Sequence, residues 1–76
     1  MAEQQLRNRL KVFRSERGMT QADLAFKVGV TRKTINTVEN QVFVPSTVLA
    51  LKLADVFNVT VNDLFYLDKA NSKTNT

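Results

Sequence analysis

The chain has 76 residues, a formal net charge of +4, and neither cysteine nor histidine. That length allows one domain that buries about 60–65% of its unfolded surface, a marginal core unless a second copy extends it. The missing residue types exclude disulfides, thiolate or imidazole metal sites, and Cys- or His-dependent catalysis.

No apolar run reaches the length of a membrane span, and MAEQQLRNRL lacks a signal-peptide core, so the chain is expected to stay in the cytoplasm. Its charge is unevenly placed. Residues 1–40 hold eight basic and four acidic side chains, whereas residues 41–76 hold three of each. All the excess positive charge therefore lies in the N-terminal half, which suits a polyanionic partner. A solvated basic surface is the plain alternative.

Residues 1–7 are polar apart from Met1, Ala2 and Leu6. A first helix is expected from about Leu6; the alternative has Asn8 as its N-cap and a short strand before it. Leu10, Val12 and Phe13 are expected to face the core. Gly18 ends this helix, and Met19 packs at the junction.

Residues 20–40, TQADLAFKVGVTRKTINTVEN, read as two short helices joined by a tight turn. Thr20 is an N-cap, and Asp23 three residues on forms a short-armed capping box at the positive end of the helix dipole. Leu24, Ala25 and Val28 mark one apolar face. Gly29 follows where the chain needs a left-handed turn, and Thr31 caps the next helix only two residues later. No long loop fits between them, so the helices must cross sharply, as in a helix-turn-helix.

In the second of these helices Ile35 and Val38 are the apolar pair. At about 100° per residue, Lys33, Asn36, Thr37 and Asn40 line the opposite side. Arg32 lies on one shoulder and Glu39 on the other, near the inner face. The outward face is polar, free of acids and flanked by cations. It suits the DNA major groove, where Arg or Lys matches guanine and Asn matches adenine. The expected base-reading residues are Arg32, Lys33, Asn36 and Thr37.

QVFVP, residues 41–45, follows as a loop in which Phe43 is expected to cover the core. Ser46 caps a fourth helix with an apolar stripe of Leu49, Ala50, Leu53, Val56 and Phe57; Val48 and Leu51 lie off it. Asn58 ends this helix, Asn being second only to Gly in such a turn. Thr60 caps a short fifth helix, with Asp63 three residues on. Val61, Leu64, Phe65, Tyr66 and Leu67 are more apolar than a last short helix requires. They form the expected dimer interface, the alternative being that Phe65 and Leu67 close the core of a single chain. Residues 68–76, DKANSKTNT, are expected to be a disordered polar tail after a domain of residues 1–67.

With Gln21, Ala25, Gly29, Val30, Ile35 and Val38 at this spacing, the chain resembles the Cro and phage-repressor type (XRE-like) of helix-turn-helix regulator. It is similar to the short stand-alone members of the cytolysin repressor type, over about the first 67 residues. The resemblance implies an all-α fold, a compact five-helix bundle around a central helix-turn-helix. It implies phosphate contacts from Gln21, Thr31, Thr34 and Asn40, and a largely buried ion pair between Arg14 and Glu39. In this family the loop after the second motif helix often begins with Gly and Lys; here Gln41 and Val42 stand instead. Asn40 is expected to take the left-handed turn in place of that glycine, and one phosphate contact of the family has no lysine here to make it.

The function implied is sequence-specific binding of double-stranded DNA by a homodimer on an inverted-repeat operator, and through it transcriptional regulation, most simply repression. An antitoxin-like partner is a variant of this reading. A protein-interaction module that keeps the fold without reading DNA is the rival, favoured a little by outward-facing Phe26. The acids are scattered singly and no glycine-rich phosphate loop is present, so no enzyme, metal or cofactor is expected.

Overall fold

The computed structural model describes residues 5–68. Five helices and two short strands follow in the order β1 (Gln5–Asn8), α1 (Leu10–Glu16), α2 (Gln21–Val28), α3 (Arg32–Glu39), α4 (Thr47–Phe57), α5 (Val61–Leu64) and β2 (Phe65–Asp68). The fold is mostly helical, as expected, but the strands correct the all-α expectation. They pair antiparallel, with Leu6 opposite Leu67 and Asn8 opposite Phe65, and so tie the two ends of the domain together.

The first helix accordingly begins at Leu10, not near Leu6. Asn8 turns the chain out of the strand: its side-chain oxygen accepts from the Leu10 N–H at 3.1 Å. A side chain that offers the backbone such a bond competes with helix continuation. The Arg9 N–H also leaves the helical pattern and donates to the Leu64 carbonyl at 2.8 Å. Asp68 is a strand residue rather than the start of a tail, and its carboxylate meets the Arg7 guanidinium at 2.7 Å. The remainder of the expected tail, residues 69–76, lies outside the described residues.

Each helix from α2 onward starts on a hydroxyl cap. Thr20, Thr31, Ser46 and Thr60 accept from the N–H three residues on, and Thr20 and Thr60 complete capping boxes with Asp23 and Asp63. These bonds satisfy donors that a helix start leaves without partners. Bonding to Thr20, first through its backbone N–H and then through its side chain, holds the Asp23 carboxyl below its ordinary range. At the far end of α2, Gly29 has φ +77°. A Cβ there would meet nothing within 4 Å, so the left-handed backbone alone calls for glycine.

The caps point the helices inward on one core. Leu10, Leu24, Ile35, Leu53 and Leu64 are fully buried, joined by Val38, Phe57 and Phe65. Ala25 and Ala54 are its small members. Phe13 packs edge-on against Phe57, with ring centroids 5.8 Å apart. Val12 departs from expectation: it lies on the solvent side of α1. One turn of helix cannot aim both Val12 and Phe13 at the same neighbour. Phe43 covers the core only in part, with about half of it exposed.

The turn after α3 holds a second correction. Asn40 keeps a near-helical backbone (φ −90°), and Gln41 takes the left-handed conformation at φ +64°. A side chain there crowds the following carbonyl, at a cost of about 1 kcal/mol that glycine avoids. Gln41 gains only a long 3.4 Å hydrogen bond from Arg7 in exchange. Gln41→Gly is therefore expected to stabilise the domain by about 0.5–1 kcal/mol, read as a higher urea midpoint at unchanged slope. A lower midpoint would mean that the Arg7 contact outweighs the backbone strain.

Candidate nucleic-acid interface

The candidate surface is the outward side of α3, and its position depends on what lies behind it. Ile35 and Val38 anchor the inner side in the core. Asn8 adds a polar tie from β1, its Nδ2 donating to the Val38 carbonyl at 2.9 Å. Glu39 lies on the shoulder between the two sides, and its side chain is only 4% exposed. A carboxylate at that depth must be paired to remain charged.

Three donors meet it. Arg14 of α1 offers Nε to Glu39 Oε2 at 2.7 Å and Nη2 to Oε1 at 3.2 Å, a two-pronged match of fork to carboxylate. Arg14, itself 12% exposed, is held in turn by the Met19 carbonyl, which accepts from Nη1 at 2.8 Å. The third donor is Gln21 of α2, whose Nε2 reaches Glu39 Oε1 at 3.0 Å. One carboxylate thus links α1, α2 and α3.

Gln21 extends the chain of bonds to the surface. Its Oε1 accepts from Arg32 Nη1 at 3.2 Å and from Asn36 Nδ2 at 3.4 Å. Asn36 Oδ1 in turn accepts from Asn40 Nδ2 at 3.3 Å. Gln21, Arg32, Asn36 and Asn40 are therefore joined on one surface and backed by the buried pair. Lys33 is exposed and has no such tether among the described residues. Thr37 donates its hydroxyl to the Thr34 carbonyl at 2.9 Å. The Thr31 and Thr34 hydroxyls lie 3.0 Å apart at the exposed start of the helix.

Arg32, Lys33, Asn36 and Thr37 thus share the outward side with Thr34 and Asn40, while Gln21 and Thr31 border it. Two loop residues border this surface. Phe43 is expected over the core and Val42 only in the loop, yet both of their N–H groups donate to the Thr37 carbonyl, at 2.9 and 3.2 Å. The positive φ at Gln41 folds the loop back this way, and a non-glycine residue gives no signal of it.

The expected dimer patch separates by depth. Leu64 and Phe65 lie inside the core of the single chain. They pack there because α5 is one turn long and the strand pairing draws Phe65 inward. Tyr66 and Leu67 stay exposed, Tyr66 lying under the Arg9 guanidinium at 4.3 Å. Val61 is half-buried beside α4.

The family model described as a helix-turn-helix matches residues 10–64. The chain belongs to that family, as an XRE-like helix-turn-helix regulator. It is 49% identical over 63 residues to an uncharacterized HTH-type transcriptional regulator of Archaeoglobus fulgidus, covering 83% of this chain and 90% of the relative. A Bacillus subtilis protein of the same description is 38% identical over 66 residues, covering 87% of this chain and all of the relative. Among solved structures, a Bacteroides fragilis protein named for DNA binding superposes with a TM-score of 0.73 at 30% identity, covering 80% of this chain and 98% of that one.

The Arg14–Glu39 pair gives a direct test of how the candidate surface is held. Arg14→Met leaves a buried carboxylate without its fork and is expected to cost about 3 kcal/mol or more. Adding Glu39→Met removes the stranded charge and should recover part of that loss. Urea denaturation of the two single variants and the double variant measures the coupling; strictly additive losses would show that the pair is not coupled.

Proposed function

We propose that this chain is a DNA-binding transcriptional regulator that reads the sequence of double-stranded DNA as a homodimer, and that it acts most simply as a repressor by covering a promoter. The observation that carries the reading is the outward side of α3. Arg32, Lys33, Asn36, Thr37 and Asn40 stand together there, with no acid among them. Glu39, the acid of this helix, faces inward and is held by Arg14. The family supports the same reading, as do the regulator names of the relatives and the excess positive charge of residues 1–40.

Recognition divides into two parts. Gln21, Thr31, Thr34 and Asn40 set register through phosphate: the first two sit at helix starts, where free N–H groups favour anions. Arg32, Lys33, Asn36 and Thr37 meet base edges, the cations matching guanine and Asn36 matching adenine. The bonds from Gln21 hold Arg32 and Asn36 in place before DNA arrives, which reduces the ordering cost of binding. Two copies related by a two-fold axis would present their α3 helices about 34–36 Å apart, one turn of duplex. Of the expected dimer patch, Tyr66 and Leu67 are the exposed side chains that a second copy can reach without unfolding the first.

A second reading has one observation in its favour: Phe26, on the exposed side of α2, is 88% exposed. An aromatic so placed can mark a protein contact. Absence of any salt-dependent duplex binding would favour that reading over the first.

Selection of bound duplexes from a random pool at physiological salt tests the main proposal. The expected product is an enriched inverted repeat. On it, Asn36→Ala should cost about 1–3 kcal/mol of binding and relax preference at one base of each half-site. Equal losses on every duplex would reassign Asn36 to phosphate, and retention without any enriched sequence would leave only non-specific binding. The dimer has its own measurement. Leu67→Lys is expected to convert a dimeric mass in sedimentation to a monomeric one while the helical circular dichroism is kept. A wild-type chain that is monomeric at micromolar concentration, alone and on DNA, would remove the dimer from the proposal.

A further inference from the structure

The loop after α3 exposes apolar surface beside the residues assigned to base reading. Val42 is 78% exposed. Its backbone and that of Phe43 are bonded to the Thr37 carbonyl, so this side chain cannot drift from α3 without breaking those bonds. Lys33, Thr34, Thr37, Val42 and Phe43 consequently line one shallow notch. Thr37 contributes to it in a particular way. Its hydroxyl hydrogen is engaged with the Thr34 carbonyl of its own helix, so toward a partner the side chain has no free donor and offers the oxygen as an acceptor and the γ-methyl as apolar surface. The notch is therefore walled by methyl groups and aromatic surface, with one cation, Lys33, at its side.

We infer that the notch between Thr37 and Val42 receives the 5-methyl group of a thymine, which makes Val42 a specificity-determining residue outside the recognition helix. The inference rests on the DNA-binding reading and deepens it. A duplex that reaches Lys33 and Thr37 must also cover Val42, because the three side chains line the same notch. The major-groove edge of DNA presents hydrogen-bonding groups and one apolar group, the thymine methyl. A phosphate here would meet only Lys33 at the side of the notch: Val42 and Phe43 have no side-chain donor for it, and their N–H groups are already bonded to the Thr37 carbonyl. A methyl group set between Thr37 and Val42 removes apolar surface from water on both sides.

The test uses the full chain and the duplex enriched from the random pool. Each thymine is replaced singly by uracil, which removes the methyl and keeps every hydrogen-bonding group. At one thymine of each half-site the replacement is expected to weaken binding about three- to fivefold, the size of one buried methyl. Val42→Ala should weaken binding to the all-thymine duplex by a similar factor and abolish the uracil effect at that position alone. Thr37→Ser keeps the hydroxyl bond to Thr34 and removes only the γ-methyl; it should act at the same thymine. Thermal midpoints of both variants check that the domain stays folded. A uracil scan with the same profile in wild type and in both variants would overturn the inference while leaving sequence-specific binding intact. So would a Val42→Ala variant that binds DNA normally but changes the oligomeric mass without DNA, since the patch would then be a contact between protein chains. Failure to enrich any duplex would instead overturn the base-reading proposal, and this inference with it.

Discussion

The candidate DNA-binding helix is held by a buried carboxylate. Glu39 is the last residue of α3, and the chain leaves it no choice but to face α1 and α2: the helix that places Asn36 and Asn40 outward places Glu39 inward. Removing such a charge from water costs several kcal/mol before its partners are counted. Arg14 and Gln21 offset that cost with three donors, and each donor comes from an element that α3 must be aligned with. A hydrophobic contact in this place would tolerate sliding by a fraction of a turn. The two-pronged bond does not, because its energy falls steeply with misalignment. The net stability such a pair adds is modest; what it fixes is where the polar side of α3 points.

The network also couples the inside of the domain to its surface. Gln21 bonds Glu39 through its amide nitrogen and Arg32 and Asn36 through its oxygen. Its orientation is decided by the carboxylate, which can only accept. Once the nitrogen faces Glu39, the oxygen must face outward, and it can then only receive donors. The side-chain nitrogens of Arg32 and Asn36 supply them. The charge on Glu39 therefore sets the direction of hydrogen bonds two residues away on the exposed side. A neutral residue at position 39 would free Gln21 to turn over, and the arrangement of Arg32 and Asn36 would lose its reference.

Much of this was legible in the sequence, and the reasons are local. Hydroxyl residues three positions ahead of a partner, with apolar residues at helical spacing behind them, set the starts of α2, α3, α4 and α5; the capping boxes at Thr20 and Thr60 are written in single residues. Gly29 marks a turn that only a positive φ can make. What the sequence did not show depends on contacts between distant positions. The strands at Gln5–Asn8 and Phe65–Asp68 carry no strong pattern alone, and each forms because the other is present. Leu64 and Phe65 read with Val61, Tyr66 and Leu67 as one interface patch, the alternative being that Phe65 and Leu67 close the core; it is Leu64 and Phe65 that are buried, where the strand pairing draws Phe65 inward. The left-handed turn at Gln41 is hidden for the opposite reason: the residue that occupies it is one that local preference argues against, and the bonds from the Gln41, Val42 and Phe43 N–H groups back to α3 hold it there.

That strained turn bears on function as well as stability. With Asn40 still near-helical, the reversal happens one residue later, so the Val42 and Phe43 N–H groups return to the Thr37 carbonyl. Had Asn40 turned instead, the loop would have left α3 one residue sooner and met the helix at another carbonyl. The place of the apolar loop beside Lys33 and Thr37 is thus a consequence of the backbone conformation at Gln41. A glycine there would relieve the strain, but it would also widen the range of conformations open to the loop. Gln41 narrows that range, and the Arg7 contact at 3.4 Å, itself anchored by Asp68, narrows it further. The paired ends of the domain therefore bear on the loop as well as on α3, where Asn8 bonds the Val38 carbonyl. Under the proposed dimer, a contact at Tyr66 and Leu67 would act on that same strand pair, and so have a physical route to the candidate DNA-binding side of α3.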